Sequence, residues 1–442
     1  MLVEAGAALA VVVCLALWHD RERVWVFLPP SLIHLAFDAA YRRRSLGAAV
    51  TRSRWFIKPL VAVVDPRKAG RVVASPIYAD EVSPVWSAFW GANTPFLMHG
   101  NLAHRSQRKL AAFLLTPDFA EQARPHIRAT CERWERRFDD GEWREVGMHA
   151  LNELMWELIA TLTTGEDTPD FRQTALDEIH HARTAGMAAS TFGLHVLPPF
   201  ARLARWRHPE FYAWEAFVRE RIADQRSGAR STPILAKLCA DMGSDSAAAD
   251  GARASDDEVF GVIVALHMGG HHGPAAVTSW ALFHLLRDHA LLDEAKAKLD
   301  DDAHMAALLL EATRLYPAGV VSRFYRARAN DDTLGVRRGE SVVVPWYSFH
   351  RDEQINANAE RFDPARKQAI GAFFPFGLGA HSCIGQRLVR PMFSEALRVL
   401  LGRLECRLDS RDLSFHAQLV TAEMDESMGG AMWARRPPAA RE

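Results

Sequence analysis

The sequence predicts a mainly α-helical fold with small β-sheets, in which one large domain follows a short apolar N-terminal segment. Helical periodicity dominates from about residue 50 onward, and the apolar run 256–288 is far longer than a typical helix. Strand signals are few. The length of 442 residues fits two or three domains of about 150 residues, but it fits one large enzyme equally well.

Composition excludes several classes of protein. Hydrophobic residues make up 49% and charged residues 24%, which excludes global disorder. The 53 Lys and Arg nearly balance the 54 Asp and Glu, so the chain lacks the basic excess typical of a nucleic-acid-binding protein. The five cysteines form no C-x-x-C pair, which argues against a disulfide framework or a zinc finger. No nucleic-acid partner is expected.

The N-terminus is predicted to associate with a membrane. The run from Leu2 to Trp18 is apolar apart from Glu4, and its length is at the short limit for a membrane span. Arginines follow it, which places the remainder on the cytoplasmic side by the positive-inside rule. We therefore assign 1–45 to a membrane-associated segment and 46–442 to the main domain. A buried or interfacial helix is the alternative for this segment.

The predicted elements follow in chain order. Amphipathic helices are expected at 101–115 and 120–138, and a helix that is apolar on nearly all sides is expected at 152–164. The segment 243–254 is predicted to be a low-complexity loop. Two strands joined by a turn are expected at 334–336 and 341–345. Ser255 and Glu258 form a capping-box pattern at the start of the long apolar run. That run is expected to pass through the middle of the molecule.

The strongest chemical signal surrounds Cys383. The segment 374–385 reads FPFGLGAHSCIG, and a helical pattern begins directly after it. A cysteine in a glycine-rich loop before a helix is favoured as a thiolate, because backbone N–H groups and the helix N-terminus point at the sulfur. Such N–H groups also tune the potential of a bound iron. For a lone cysteine, a small buried hydrophobic residue is the alternative interpretation.

The pattern Phe376-x-x-Gly379-x-His381-x-Cys383-x-Gly385 resembles the haem-binding loop of the cytochrome P-450 family. The resemblance implies the cytochrome P-450 fold, with haem b between the long central helix and this loop. It implies that Cys383 is the axial ligand of the iron, and that Phe376 and Gly377 contact the cofactor. Thiolate donation pushes electron density onto haem iron and favours O–O cleavage.

Further segments carry the same resemblance in the family's order. Glu311 and Arg314 match its E-x-x-R pair, and Glu360-Arg361-Phe362 resembles its E-R-F stretch, which implies that Arg361 completes the ion-pair network. The resemblance assigns a haem-propionate contact to each of four cationic or imidazole side chains: His104, Arg108, Arg323 and His381. Solvated surface charge is the alternative for each of these four.

The central helix departs from the family pattern. The family usually has an acid followed by an alcohol on this helix, and this chain has His272 and Gly273 there. The Gly-His-His stretch at 270–272 resembles the sterol demethylase branch. Pro274 lacks an N–H group and clashes four residues back, so the helix is expected to open at Gly270, whose carbonyl can then hold water. His272 is a candidate proton relay, since imidazole titrates near neutrality, and a packed helix residue is the alternative.

The resemblance implies a haem-thiolate monooxygenase that oxidises a lipophilic small molecule with O2. No nicotinamide or flavin motif is found, so two electrons are expected from a ferredoxin or a reductase. The missing alcohol at Gly273 leaves open a haem-thiolate peroxygenase, dehydratase or isomerase. A haem-binding or sensing protein without turnover is the third possibility.

Overall fold

The protein was analysed as a computed structural model, which describes residues 24–26, 50–55, 58–80, 108–165, 172, 209–240, 253–318, 325–367, 373–379, 382–409, 415–418, 421–424 and 432–437. Helices dominate these ranges, as the sequence predicts. They are α1 Pro66–Ala74, α2 Pro117–Glu135, α3 Met148–Thr163, α4 Pro209–Ser227, α5 Pro233–Leu238, α6 Asp256–Gly270, α7 His272–Arg287, α8 His289–Ala297, α9 Asp302–Leu315, α10 Trp346–His350 and α11 Val389–Gly402. The expected mainly α fold with small sheets is confirmed.

The described strands form three small sheets. They are β1 Val24–Val26, β2 Val50–Trp55, β3 Lys58–Val63, β4 Tyr78–Asp80, β5 Arg144–Glu145, β6 Tyr325–Ala327, β7 Ser341–Val343, β8 Glu405–Leu408, β9 Phe415–Gln418, β10 Thr421–Met424 and β11 Met432–Arg435. The largest sheet has the order β1-β2-β3-β7-β6-β4. The other two sheets are β5-β11-β8 and the β9-β10 hairpin. Two hydrophobic cores result, one among the helices and one under the large sheet.

Helix α2 begins three residues before the predicted position because of its cap. The Thr116 hydroxyl accepts a hydrogen bond from the Phe119 amide, and Pro117 occupies the first helical position. Both features are preferred at helix N-termini. Helix α3 contains the predicted apolar segment and is buried over most of its length, since it packs against α2, α6 and α7.

The long apolar run folds as two helices. Ser255 and Glu258 form the predicted capping box at the start of α6. The helix ends at Gly270, and α7 begins at His272. Pro274 in the first turn of α7 cannot donate to the Gly270 carbonyl. The predicted opening at this glycine is therefore confirmed, and the break lies in the middle of the molecule.

The sequence predicted a strand pair between 334–336 and 341–345, and the first of these partners was wrong. Segment 341–343 forms β7 as expected, but β7 pairs with Tyr325–Ala327 and with Lys58–Val63. Segment 334–336 contributes a single bridge, Asp331 with Val336. Gly339, with φ of 87°, provides the turn before β7, and its amide donates to the Ala327 carbonyl. The connection between β6 and β7 is therefore longer than the turn that the sequence predicted.

The N-terminal segment is described only at β1, within the predicted membrane-associated 1–45. Val24–Val26 pairs in parallel with β2 at the edge of the large sheet. Among the residues that the structure describes, no helix has both the length and the apolar character of a membrane span. The candidate span from Leu2 to Trp18 lies outside those residues.

Candidate functional site

The Cys383 loop is held by its own backbone. The Cys383 amide donates to the Phe376 carbonyl at 2.8 Å, and the Gly377 amide donates to the Phe374 carbonyl at 3.2 Å. Gly377 and Gly379 have φ of 68° and 69°, a conformation that disfavours side chains. A Cβ at Gly379 would also lie 3.2 Å from the Val73 carbonyl oxygen of α1. The glycines therefore fold the loop tightly and seat it against α1.

Cys383 lines a cavity, and the residue is exposed to it. Desolvation raises the pKa of this thiol, while the backbone amides of Gly385 and Gln386 and the charge of Arg108 act in the opposite direction. These amides belong to the chain just before α11, as predicted from the loop-to-helix pattern. A Cβ at Gly385 would lie 3.7 Å from the sulfur, an ordinary contact, so this glycine is not required for the approach.

Arg108, for which a haem-propionate contact is predicted, lies next to the cysteine loop. Its guanidinium donates to the Ser382 carbonyl at 2.6 Å and to the Ser382 hydroxyl at 3.3 Å. The arginine is half-buried. A fixed cation at this position can bind an anionic group of a ligand through charge-assisted hydrogen bonds. The other three predicted propionate contacts, His104, Arg323 and His381, lie outside the described residues.

A cavity of about 290 Å³ separates the break in the central helix from the cysteine loop. One wall comes from α6 and α7: Leu266, Gly269, Gly270, Gly273, Pro274 and Val277. The opposite wall comes from the loop and the start of α11: Phe374, Pro375, Phe376, Gly377, Leu378, Cys383, Gly385, Leu388, Val389 and Met392. These walls are mostly apolar, and Cys383 lies at one side. Arg108 bonds to Ser382, the residue before this cysteine. A flat apolar metallocofactor with a thiolate ligand and carboxylate substituents fits such a site.

A buried ion-pair network joins α9 to the end of α10 and the chain after it. Both Glu311 carboxylate oxygens accept from Arg314 at 2.8 Å, and both side chains are fully buried. Arg314 also donates to the carbonyls of His350 and Ala359 at 2.7 Å. Buried charges need this degree of pairing, because an uncompensated one is strongly destabilising. The predicted structural role of the E-x-x-R pair thus has a physical basis.

The third member of the network is Arg366, and the prediction of Arg361 was wrong. The Arg366 guanidinium lies 3.2 Å from Glu311 and donates to three carbonyls. Arg361 is exposed and contributes its backbone carbonyl, which accepts from Arg314 and from Arg366. The signal that finds Arg366 is the segment Phe362-x-Pro364-x-Arg366, in which the turn after the phenylalanine returns the chain to α9.

The family model for cytochrome P450 matches residues 87–421 of this chain. The chain belongs to the cytochrome P450 family. Cytochrome P450 138 of Mycobacterium bovis is 25% identical over 393 residues, which cover 83% of this chain and 86% of that protein. Pentalenene oxygenase of Streptomyces avermitilis is 29% identical over 333 residues, covering 68% of this chain and 71% of that protein.

Solved structures support the same fold. The crystal structure of the cytochrome P450DA haem domain superposes with a TM-score of 0.75 at 16% identity, over 92% of this chain and 94% of that one. Membership of the family implies a haem cofactor and a redox partner that donates electrons. With relatives named as oxygenases, it also makes this chain a P450-type monooxygenase, an oxidoreductase.

The two predicted catalytic residues of this cytochrome P450, Gly270 and His272, differ in their position relative to the cavity. Gly270 lines the cavity. Neither His271 nor His272 is among the described residues that line it. Instead the His272 ring nitrogen Nδ1 lies 3.5 Å from the Asn152 amide nitrogen of α3, and His271 packs edge-on against Trp156. The two imidazoles thus face α3, while the backbone around Gly270 faces the cofactor cavity.

At two glycines of this wall, a neighbouring side chain leaves little room for a Cβ atom. A Cβ at Gly270 would lie 2.8 Å from the Ile159 side chain of α3. A Cβ at Gly273 would lie 3.1 Å from the Ala318 Cβ, just after α9. Ala318 therefore occupies the space next to the position where the family pattern predicts an alcohol. The absence of that alcohol is a packing feature of this chain as well as a chemical one.

Introducing the alcohol alone is expected to destabilise the protein. Gly273→Thr would crowd Ala318 and place a branched residue before Pro274, where helical backbone is already disfavoured. Overpacking of this kind costs about 1–3 kcal/mol. Gly273→Thr combined with Ala318→Gly is expected to recover Tm and to raise product formed per NAD(P)H. Ala318→Gly alone is the control, and an unchanged Tm in the single threonine variant would contradict the steric argument.

Further residues complete the lining of the cavity. Seven residues that sequence reasoning did not assign to the cavity also line it, namely Val73, Ile159, Leu309, Thr313, Ala318, Tyr325 and Trp346. They come from α1, α3, α9 and the residues just after it, β6 and α10, so no local pattern brings them together. Only the three-dimensional arrangement identifies them.

Proposed function

We propose that this cytochrome P450 binds haem b and oxidises a lipophilic small molecule, taking two electrons from a separate ferredoxin or reductase. The observation that carries the proposal is Cys383, which lines an apolar cavity below the break at Gly270. When bound, the haem would supply the activation of O2 and the transfer of one oxygen atom. Cys383 would hold the iron, and Phe376 and Gly377 would contact the ring on the same side.

The cationic residues would orient the cofactor. Arg108 supports this role through its position at Ser382, next to the ligand. We propose the same role for His104, Arg323 and His381 on sequence alone. A redox partner is proposed because the sequence contains no nicotinamide or flavin motif. Association of 1–45 with the cytoplasmic side of a membrane, followed by the catalytic domain 46–442, also remains a proposal based on the sequence.

Proton delivery is proposed to use the break in the central helix. The Gly270 carbonyl receives no hydrogen bond from Pro274, and its residue lines the cavity. A water at this carbonyl would therefore have direct access to the reacting centre. His272 is the competing candidate, and its position against Asn152 would require a further intermediary. The two candidates make different predictions for one variant.

His272→Ala is expected to leave the ratio of product to NAD(P)H consumed near the wild-type value, if water at Gly270 carries the proton. A loss of roughly 10²-fold, with electrons diverted to peroxide, would instead identify His272 as the relay. The measurement uses a lipophilic substrate panel with NAD(P)H and redox partner, and product is quantified by mass spectrometry. Asn152→Ala is the matched control, because it removes the neighbour of His272 and keeps the imidazole.

A haem-thiolate enzyme that is not a monooxygenase is the second candidate, favoured by Gly273 in place of the alcohol. A peroxygenase would form product with H2O2 alone. A dehydratase or isomerase would need no external electrons at all. Product that depends on NAD(P)H and partner supports the monooxygenase, whereas product without them supports this alternative. Ligand-induced displacement of iron-bound water without any turnover would indicate a haem-binding protein.

A further inference from the structure

His350 connects the buried ion-pair network to the cysteine loop. It is the last residue of α10 and is fully buried. Its carbonyl accepts from Arg314 at 2.7 Å and from the Asn356 side chain at 3.1 Å. Its ring nitrogen Nε2 accepts from the Phe374 amide at 3.1 Å. One residue thus contacts the network with its backbone and the loop with its side chain.

The loop continues this chain of hydrogen bonds to the ligand. Phe374 is the residue whose carbonyl accepts from Gly377, and Phe376 is the one whose carbonyl accepts from the Cys383 amide. The position of Phe374 therefore determines where the turn containing Phe376 begins. This turn then positions the backbone that holds Cys383. Every hydrogen bond of this path has a backbone group as one partner, so the path does not depend on flexible surface side chains.

The protonation state of His350 suits this role. Burial, reinforced by the charge of Arg314, lowers the pKa of His350 to about 3. The ring is therefore neutral, and the Phe374 amide at Nε2 requires the proton to lie on Nδ1. Nδ1 is buried and has no hydrogen-bond partner among the described residues. Because leaving a buried polar group unsatisfied is costly, a hydrophobic residue would be cheaper here if only packing mattered.

We infer that His350 is a positioning residue for the thiolate ligand, which transmits the geometry of the Glu311–Arg314–Arg366 network to the cysteine loop through the Phe374 amide. The inference rests on the haem-thiolate assignment and adds a residue that the E-x-x-R and cysteine motifs do not contain. His350 gives the connection a direction and a defined acceptor atom.

The test compares His350→Leu with His350→Gln in the holoprotein. Leucine fills the space and removes the acceptor, whereas the glutamine side-chain oxygen can reach the Phe374 amide. His350→Leu is expected to lose part of the red-shifted Soret band of the reduced CO complex. Haem transfer to an acceptor apoprotein is expected to be roughly tenfold faster, equivalent to about 1.4 kcal/mol for one buried hydrogen bond. His350→Gln is expected to restore both.

Phe349→Leu is the matched control. Phe349 is the fully buried neighbour of His350, and the substitution weakens packing while keeping the imidazole. At an equal loss of Tm it is expected to keep the thiolate band. The inference is overturned if His350→Leu keeps the wild-type band and haem-transfer rate, or if Phe349→Leu changes the band equally.

A measurement on the wild type keeps the inference testable if His350→Leu does not fold. Amide hydrogen exchange of the holoprotein is expected to show the Phe374 amide protected as strongly as the amides of α9. Rapid exchange at Phe374 would show that the bond to His350 is absent and would overturn the inference. A wild-type protein without the thiolate band would fail differently, since it would refute the haem-thiolate assignment itself.

Discussion

Cys383→Ser is expected to abolish monooxygenase activity and to remove the red-shifted Soret band from the reduced CO complex. A serine hydroxyl remains protonated at neutral pH and is a far poorer iron donor than a thiolate. The substitution is nearly isosteric, and the Cys383 amide would still donate to the Phe376 carbonyl. The loop is therefore expected to keep its shape. Loss of the red-shifted band would then reflect loss of the iron ligand and not a change of fold.

The other described cysteines provide the control for this experiment. Cys131 is buried on α2, where desolvation strongly raises its thiol pKa. Cys131→Ser is expected to keep the thiolate band and the activity, although burying a hydroxyl there will lower Tm. Measuring the CO spectrum, haem content and Tm of both variants separates ligation from stability. Survival of the band in Cys383→Ser would show that another residue binds the iron.

The parts of the site that the sequence predicted are those determined by contiguous residues. The cysteine loop is one such part, because its glycines, its turn and the following helix all lie within a dozen positions. The capping box at Ser255 and the break at Gly270 are others, since a side chain three residues away or a proline four residues away determines them. Local steric rules suffice in these cases.

The parts that were predicted wrongly depend on where distant segments meet. Arg361 and Arg366 are both charged and lie five positions apart, so sequence spacing alone could not decide which one reaches Glu311. The path of the turn at 362–366 decides it. In the same way, β7 pairs with β6 because the excursion at 328–340 folds over itself. Strand propensity gives no information about such register.

The orientation of the histidines illustrates a third limit. A one-residue change of position on a helix rotates a side chain by about 100°, and the break at His271 adds a further local change. The sequence placed His272 at the position of the family's acid, but the structure directs its ring towards Asn152. Whether an imidazole faces a cavity or a neighbouring helix is decided by packing of α3 against α6 and α7, which no local pattern encodes.

Arg366→Ala is expected to cause the second largest effect, a loss of about 3 kcal/mol in the free energy of unfolding together with loss of haem. Removing one partner from a buried ion pair leaves charge uncompensated and costs about 3–5 kcal/mol. Glu311 keeps its two bonds to Arg314, so the lower end of that range applies. Arg366 also donates to the carbonyls of Ala357, Asn358 and Arg361. Without it, the turn after α10 loses its internal support.

Arg361→Ala is the matched control, and it distinguishes the observed network from the one predicted from the sequence. Its side chain is exposed, and alanine retains the backbone carbonyl that accepts from Arg314 and Arg366. The free energy of unfolding is expected to change by less than about 0.5 kcal/mol, as for ordinary surface substitutions. Arg366→Lys is expected to fall between the two variants, because lysine keeps the charge but lacks the planar fork that reaches several acceptors. Denaturant unfolding and the reduced CO spectrum of the three holoproteins measure these differences. Equal stability of Arg366→Ala and Arg361→Ala would show that Arg366 does not complete the network.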